Sequence, residues 1–257
     1  MSRNGVGALL MSPPAAIAAA QTLFFSPLYL FSTTTSNHFQ RSIAKMSTDP
    51  DPILLQKRAL RSKVRKDLKA MDPSLRSQQD SAIQDLVLKS SWFRSSERLC
   101  AYISCSALRE VDTSKILSEI LCNPDKEGHS QMMKMLYVPR VEDKNSHMRM
   151  LNITSTDDLI ANSMNILEPS PVDRDGNQRE NGWGRDKVYL TTSHLERDNS
   201  SPFQCLAVPV ALSYGLQIMN EGVIPMTPGD VPVDALVTPT GVIPISPSAM
   251  ERLRGQH

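Results

Sequence analysis

Between Arg98 and Ile245 the chain alternates short apolar runs with helical segments or turns, and this alternation restricts its fold more than any other feature. "RLCAYIS" (residues 98–104) is a continuous apolar run, short enough for a strand buried on both faces. "DTSKILSEIL" (residues 112–121) follows with Asp112 or Thr113 as cap and Ile116, Leu117, Ile120 and Leu121 at helical spacing. "KMLYVPRV" (residues 134–141) predicts a second strand, stopped by Pro139, and the alternating "HMRMLNI" (residues 147–153) its antiparallel neighbour. "STDDLIAN" (residues 155–162) predicts a short capped helix. "CLAVPVALSY" (residues 205–214) and "VDALVTPTGVIPI" (residues 233–245) return to strand, the latter broken by a turn at Pro239-Thr240-Gly241. Two helices precede the series. The second starts at Asp72-Pro73, an N-cap followed by proline at the first helical position, and runs through Ile83, Leu86 and Val87. The pattern predicts an α/β three-layer sandwich with a largely parallel sheet.

Composition divides the 257 residues in two. The first 48 contain Arg3, Arg41 and Lys45 and no acid, so against a net charge of +1 for the whole they carry +3 and the rest carries −2. An acid-free segment rich in Ser, Thr and Ala has the composition of an organelle transit peptide. Its apolar stretch "AAIAAAQTLFFSPLYLF" is interrupted by Gln21, Thr22, Ser26 and Pro27 and is short of the ~20 residues needed to span a bilayer. The expectation is a transit peptide over residues 1–45 and a single folded domain over 46–257. Arg3 and Arg41 favour the mitochondrion, with the chloroplast as alternative, and Met46 would start a cytosolic form. A near-neutral body argues against broad nucleic-acid binding, and neither a nucleic-acid nor a membrane partner is expected. Cys100, Cys105, Cys122 and Cys205 have no metal-ligand spacing and are expected as free thiols. Residues 173–204 are almost wholly polar, with only "KVYL" able to form a strand, and are expected to be irregular.

The first predicted helix poses a question of charge. "LLQKRALRSKVRKDLKAM" (residues 54–71) holds seven Lys or Arg within the thirteen residues from Lys57 to Lys69. Nucleic acid, a membrane surface and the phosphates of a small ligand are competing explanations. At ~100° per residue, Leu60, Val64, Leu68 and Met71 make one apolar stripe. Lys57 projects along it, Arg61 borders it, and Arg58, Lys63 and Lys66 point elsewhere. The helix therefore aims a lysine at the protein body, either as a snorkelling stem or as the ligand of an anion in a cleft.

"QKRALRSKVRKDLKAMDP" resembles the start of the 5-formyltetrahydrofolate cyclo-ligase (methenyltetrahydrofolate synthetase) family. "AYISCSALREVDT", "YVPRV", "SHMRM", "NILEP" and "VALSYGLQIMNEGVIPMTPGDVPVDALVTPTGVI" resemble its later segments, in the same order. The resemblance implies ATP- and Mg2+-dependent closure of 5-formyltetrahydrofolate, with or without a polyglutamate tail, to 5,10-methenyltetrahydrofolate by a monomer. It further implies that Lys57, Arg58, Ala59, Leu60 and Arg61 bind ATP, with Lys57 and Arg61 on the phosphates. Glu110 matches the acid that accepts N–H groups of the pterin. Ile103, His147 and Met148 match the pocket lining, and Asp230 matches a magnesium ligand. Without the resemblance, Glu110 reads as a surface acid, Ile103 as sheet core and "PGDVP" as a turn.

One family feature is absent. The run of the kind G-R-G-x-G-Y-Y-D, whose amides cradle phosphate, has its nearest counterpart in "NGWGRD" (residues 181–186), and the polar stretch 173–204 stands in its place, with one central strand expected to be lost. An impaired splice or gene-model variant, at most a folate or nucleotide binder, is therefore the alternative to the enzyme.

Overall fold

The computed structural model describes residues 51–121, 134–142, 148–182, 188–191, 208–227, 230, 232–247 and 249–250. The expected leader, His147, Cys122 and Cys205 lie outside them.

Helices α1 (Pro52–Ala70) and α2 (Pro73–Lys89) begin alike. In each, an aspartate precedes a proline and accepts early helical amides: Asp51 from Ile53 N at 2.9 Å, Asp72 from Ser74 N at 2.9 Å and Leu75 N at 3.0 Å. The short α3 (Ser91–Ser95) leads into β1 (Arg98–Ala101), and α4 (Ser114–Leu121) follows. β2 (Met135–Val141) and β3 (Met148–Ile153) form the expected antiparallel pair. β2 continues through Pro139 rather than stopping there. Its pairing with β1 ends at Tyr137, so the missing N–H of Pro139 costs no bond to that neighbour.

The expected helix over residues 155–162 is a correction. Only Thr156–Asp158 turns, as a 3-10 turn with a capping box on Ser155. The chain then enters β4 (Leu159–Ala161), which pairs with β5 (Leu167–Pro169) in a separate two-stranded sheet. Ser155 and Asp158 satisfy each other after a single turn, and strand pairing takes the residues that follow.

The main sheet runs β3-β2-β1-β6-β7-β8-β9, with β6 (Val188–Thr191), β7 (Val208–Leu212), β8 (Ala235–Thr238) and β9 (Gly241–Pro244). Pairings from β2 through β8 are parallel, and β3 and β9 close the edges antiparallel, so the sheet is mixed. Alternate residues face opposite sides. Leu99, Ala101, Leu136, Val138, Val210, Leu212, Ala235 and Val237 join one large cluster with Val64, Leu68, Ile83, Val87, Phe93, Ile116 and Ile120 of the helices. Cys100, Tyr137 and Met150 cluster separately, as do Ala211 and Leu236, and neither group contains a helix residue. Among the described residues the helices in these clusters pack on one face, and the fold is mixed α/β, with four of the six pairings in the main sheet parallel.

The polar stretch 173–204 is not irregular throughout. Val188–Thr191 is β6, hydrogen-bonded between β1 and β7 at the middle of the sheet. Upstream, the side chain of Arg179 is shielded from solvent and hydrogen-bonded. Its Nε donates to Ser170 O at 2.9 Å, its Nη1 to Asn152 O at 3.2 Å, and its Nη2 lies 3.0 Å from Asp158 Oδ1. Gly182 then runs so close to the opposite sheet face that an added Cβ would stand 2.5 Å from Tyr137 Cδ1, which only glycine avoids.

Candidate functional site

In a parallel sheet the loops leaving the carboxyl ends of the strands form the natural ligand edge. β1 exits there into Tyr102-Ile103. β2 ends there at Val141, opposite Met148 at the start of antiparallel β3. β7 exits there into the 3-10 turn Gly215–Gln217, which packs against α1. The candidate residues after β1 and at the start of β3 thus lie at this edge.

The sharpest feature joins the two ends of the sequence. Lys57 Nζ forms an ion pair with Asp230 Oδ2, with side chains only 7% and 12% exposed. Thr227 holds the same oxygen through its N at 2.7 Å and its Oγ1 at 3.0 Å, and Thr227 Oγ1 lies 3.3 Å from Lys57 Nζ. The residue matched to phosphate and the residue matched to magnesium therefore touch across 173 positions of sequence. One helical turn along, Arg61 is half-buried, and its Nε is buried without a hydrogen-bond partner. A buried donor left unmade costs about 1–3 kcal/mol, and an anion at this place would satisfy it. Arg58, Ala59, Lys63 and Lys66 are exposed, whereas Leu60 is half-buried against the main core, as the helical stripe predicts.

Glu110 sits in a tight loop beyond β1. Ser106–Leu108 makes a 3-10 turn, and Arg109 follows in the left-handed region at φ 59°. That turn sends Glu110 back, so that its Oε2 accepts Cys105 N at 2.8 Å. Burial raises the carboxyl's pKa above its usual range, and the Cys105 bond opposes this. The peptide of Glu110 is held as firmly. Its carbonyl lies 3.2 Å from Arg76 Nη2 and 3.0 Å from the Tyr214 hydroxyl. Ile103 packs partly buried against the main core, and Met148 is 38% exposed at the strand edge. Of the two cysteines described, Cys100 is buried and Cys105 half-buried.

Sequence reasoning missed Thr227, Tyr214, Arg76 and Asp80. Thr227 had a signal, since a threonine three residues before an aspartate across Pro-Gly is a self-bonding turn. Tyr214 had none, because it closes an apolar run and reads as core. Among the described residues no group of three or more His, Cys, Asp or Glu is arranged to hold a metal. Asp230 with ligand phosphate oxygens suits magnesium, which usually takes one or two carboxylates and completes its shell from phosphate and water. No described helix is long and apolar enough to cross a membrane.

Comparison with known proteins shows the family. The mitochondrial 5-formyltetrahydrofolate cyclo-ligase of Arabidopsis thaliana is 49% identical over 252 residues, covering 88% of this chain and 86% of its own. The 5-formyltetrahydrofolate cyclo-ligase of Mus musculus is 25% identical over 150 residues, covering 56% of this chain and 66% of its own. In fold, the chain is similar to a 5,10-methenyltetrahydrofolate synthetase of Aquifex aeolicus, with TM-score 0.55 and 20% identity over 74% of this chain and 93% of that one. A sequence model of the 5-formyltetrahydrofolate cyclo-ligase family matches residues 54–239, which span every candidate residue described above, and the chain belongs to that family.

Proposed function

We propose that the protein closes 5-formyltetrahydrofolate to 5,10-methenyltetrahydrofolate with ATP and Mg2+. The observation that carries this reading is the meeting of Lys57 and Asp230 beside the unpartnered Arg61 Nε. Lys57 and Arg61 take the nucleotide phosphates, and Asp230 holds magnesium together with phosphate oxygens. Bound nucleotide supplies the phosphoryl group that converts the formyl oxygen into a leaving group, so that N10 can close the ring. The protein's contribution is placement and charge, which phosphoryl transfer needs more than covalent help. Glu110 accepts pterin N–H groups, Ile103 and Met148 line the pocket beside it, and His147 precedes Met148 in the same segment. Near-full-length likeness to a protein named as a cyclo-ligase favours an enzyme over a binder without turnover.

We further propose that residues 1–45 are a mitochondrial leader and 46–257 the mature domain, in keeping with the word "mitochondrial" in the Arabidopsis relative's name. The deciding experiment incubates the full chain with 5-formyltetrahydrofolate, ATP and Mg2+ and follows the methenyl product by absorbance. Product that forms only when all three are present supports the proposal. No product, with neither ligand bound, refutes it.

A further inference from the structure

Tyr214 is fully buried, and its ring belongs to the main core. A phenylalanine would fill that space, so the hydroxyl calls for its own account. It donates to Asp80 Oδ1 at 2.7 Å and accepts from Arg76 Nε at 3.1 Å. Arg76 carries its second donor on to the carbonyl of Glu110, which is also 3.0 Å from the hydroxyl. Asp80 Oδ1 in turn accepts Asp112 N at 2.9 Å, two residues beyond Glu110. The backbone around Glu110 is therefore tied to α2 on both sides, by Arg76 and by Asp80, and the phenol bridges those two side chains. Burial, reinforced by the Asp80 carboxylate, pushes the phenol's pKa well up and keeps it a donor across the physiological range.

The other side of Tyr214 leads to the phosphate helix. Its N donates to Gln217 Oε1 at 2.9 Å, and Gly215 N donates to Gln79 Oε1 at 3.0 Å. These bonds hold the Gly215–Gln217 turn that packs on α1, the helix bearing Lys57 and Arg61. We propose that Tyr214, with Arg76 and Asp80, is a positioning unit that sets Glu110 in register with the phosphate helix, and that Tyr214 acts on folate binding through Glu110. The inference rests on the reading of Glu110 as the pterin acid.

The test is a double-mutant cycle read by calorimetry with 5-formyltetrahydrofolate on the full chain, comparing wild type, Tyr214→Phe, Glu110→Gln and the double variant. One lost hydrogen bond predicts about fivefold weaker folate binding for Tyr214→Phe. ATP affinity should stay within about twofold, because Lys57 and Arg61 ride on α1 itself. The double variant should bind folate no more weakly than Glu110→Gln alone. Additive losses mean that Tyr214 serves general packing and overturn the inference, as does unchanged binding by Tyr214→Phe. Should Tyr214→Phe not fold, Asp80→Asn in the same cycle removes the acceptor while keeping the shape, and additivity there counts against the inference equally. A wild-type chain that does not bind folate overturns the Glu110 reading and this inference together. A wild type that binds while the cycle is additive overturns the inference alone.

Discussion

At the end proposed for folate, the Glu110 carboxylate accepts from Cys105 N and its carbonyl is held by Arg76 and the Tyr214 hydroxyl. At the end proposed for phosphate, Lys57 and Asp230 neutralise each other, and Arg61 Nε has no hydrogen-bond partner among the described residues. The first end is built to receive. On the proposed roles the second is built to exchange, since a phosphate would draw Lys57 from Asp230 before either could serve a ligand. A buried ion pair gains little net stability over apolar residues of the same shape, which makes a ligand-handling role the better account of the pair.

The predictions bear on this contrast, and the largest concerns what the phosphate end lacks. Residues 192–207, between β6 and β7, contain no glycine. A chimera carrying the family's glycine-rich run there, at the carboxyl end of β6, should raise turnover by ~10²–10³, the rate that one preorganised donor commonly supplies. Equal rates with and without the run would mean that the exchangeable end is already complete. Next in size, Lys57→Ala and Arg61→Ala should each weaken ATP binding about tenfold, whereas Lys66→Ala, on the exposed face, should leave it unchanged. Equal losses from all three in a calorimetric titration would replace exchange at two residues with diffuse attraction.

A smaller effect follows from the pairing itself. With Lys57 on its carboxylate, Asp230 should bind magnesium about fivefold or more weakly in the absence of nucleotide than with a non-hydrolysable ATP analogue, and the analogue should gain equally from the metal. Identical magnesium affinities in the two titrations would abolish the distinction between the ends. The smallest effect belongs to the prebuilt end. A carboxyl whose folded pKa is raised above 4.5 contributes stability that is full below that value and is lost as pH rises through the folded pKa. Glu110→Gln should therefore raise the thermal midpoint at neutral pH, with a gain that fades below about pH 4.5. Folate binding by the wild type should weaken as pH falls through the same range. A pH-independent difference between the two proteins would show that burial of the Glu110 charge carries no cost.

Legibility in the sequence followed the length scale of each signal. The helix start at Asp72, the stripe that buries Lys57 and the turn between β8 and β9 are set within a few residues, and each could be read. β6 could be read only as a candidate, because four residues in polar surroundings become a central strand by pairing with β1 and β7, and pairing is non-local. The same reason hides Arg179, one arginine among many polar residues until Asp158 and two carbonyls close around it. Of the site, family resemblance supplied Lys57, Arg61, Glu110 and Asp230. Nothing in an apolar run ending in tyrosine announces that its hydroxyl will meet an aspartate and an arginine from α2.

The bond between Lys57 and Asp230 also bears on how the chain comes to be finished. Contacts this far apart in sequence are expensive in loop-closure entropy and belong to the late stages of folding. A chain still emerging from synthesis has Lys57 long before it has Asp230. A nucleotide that requires both residues has no purchase on such a partial chain and binds only the completed one. By mass action it would then act as a folding ligand, lowering the population of open forms available to proteases by the factor 1 + [L]/Kd. The supply of nucleotide in the compartment would set the lifetime of the protein as well as its rate of work.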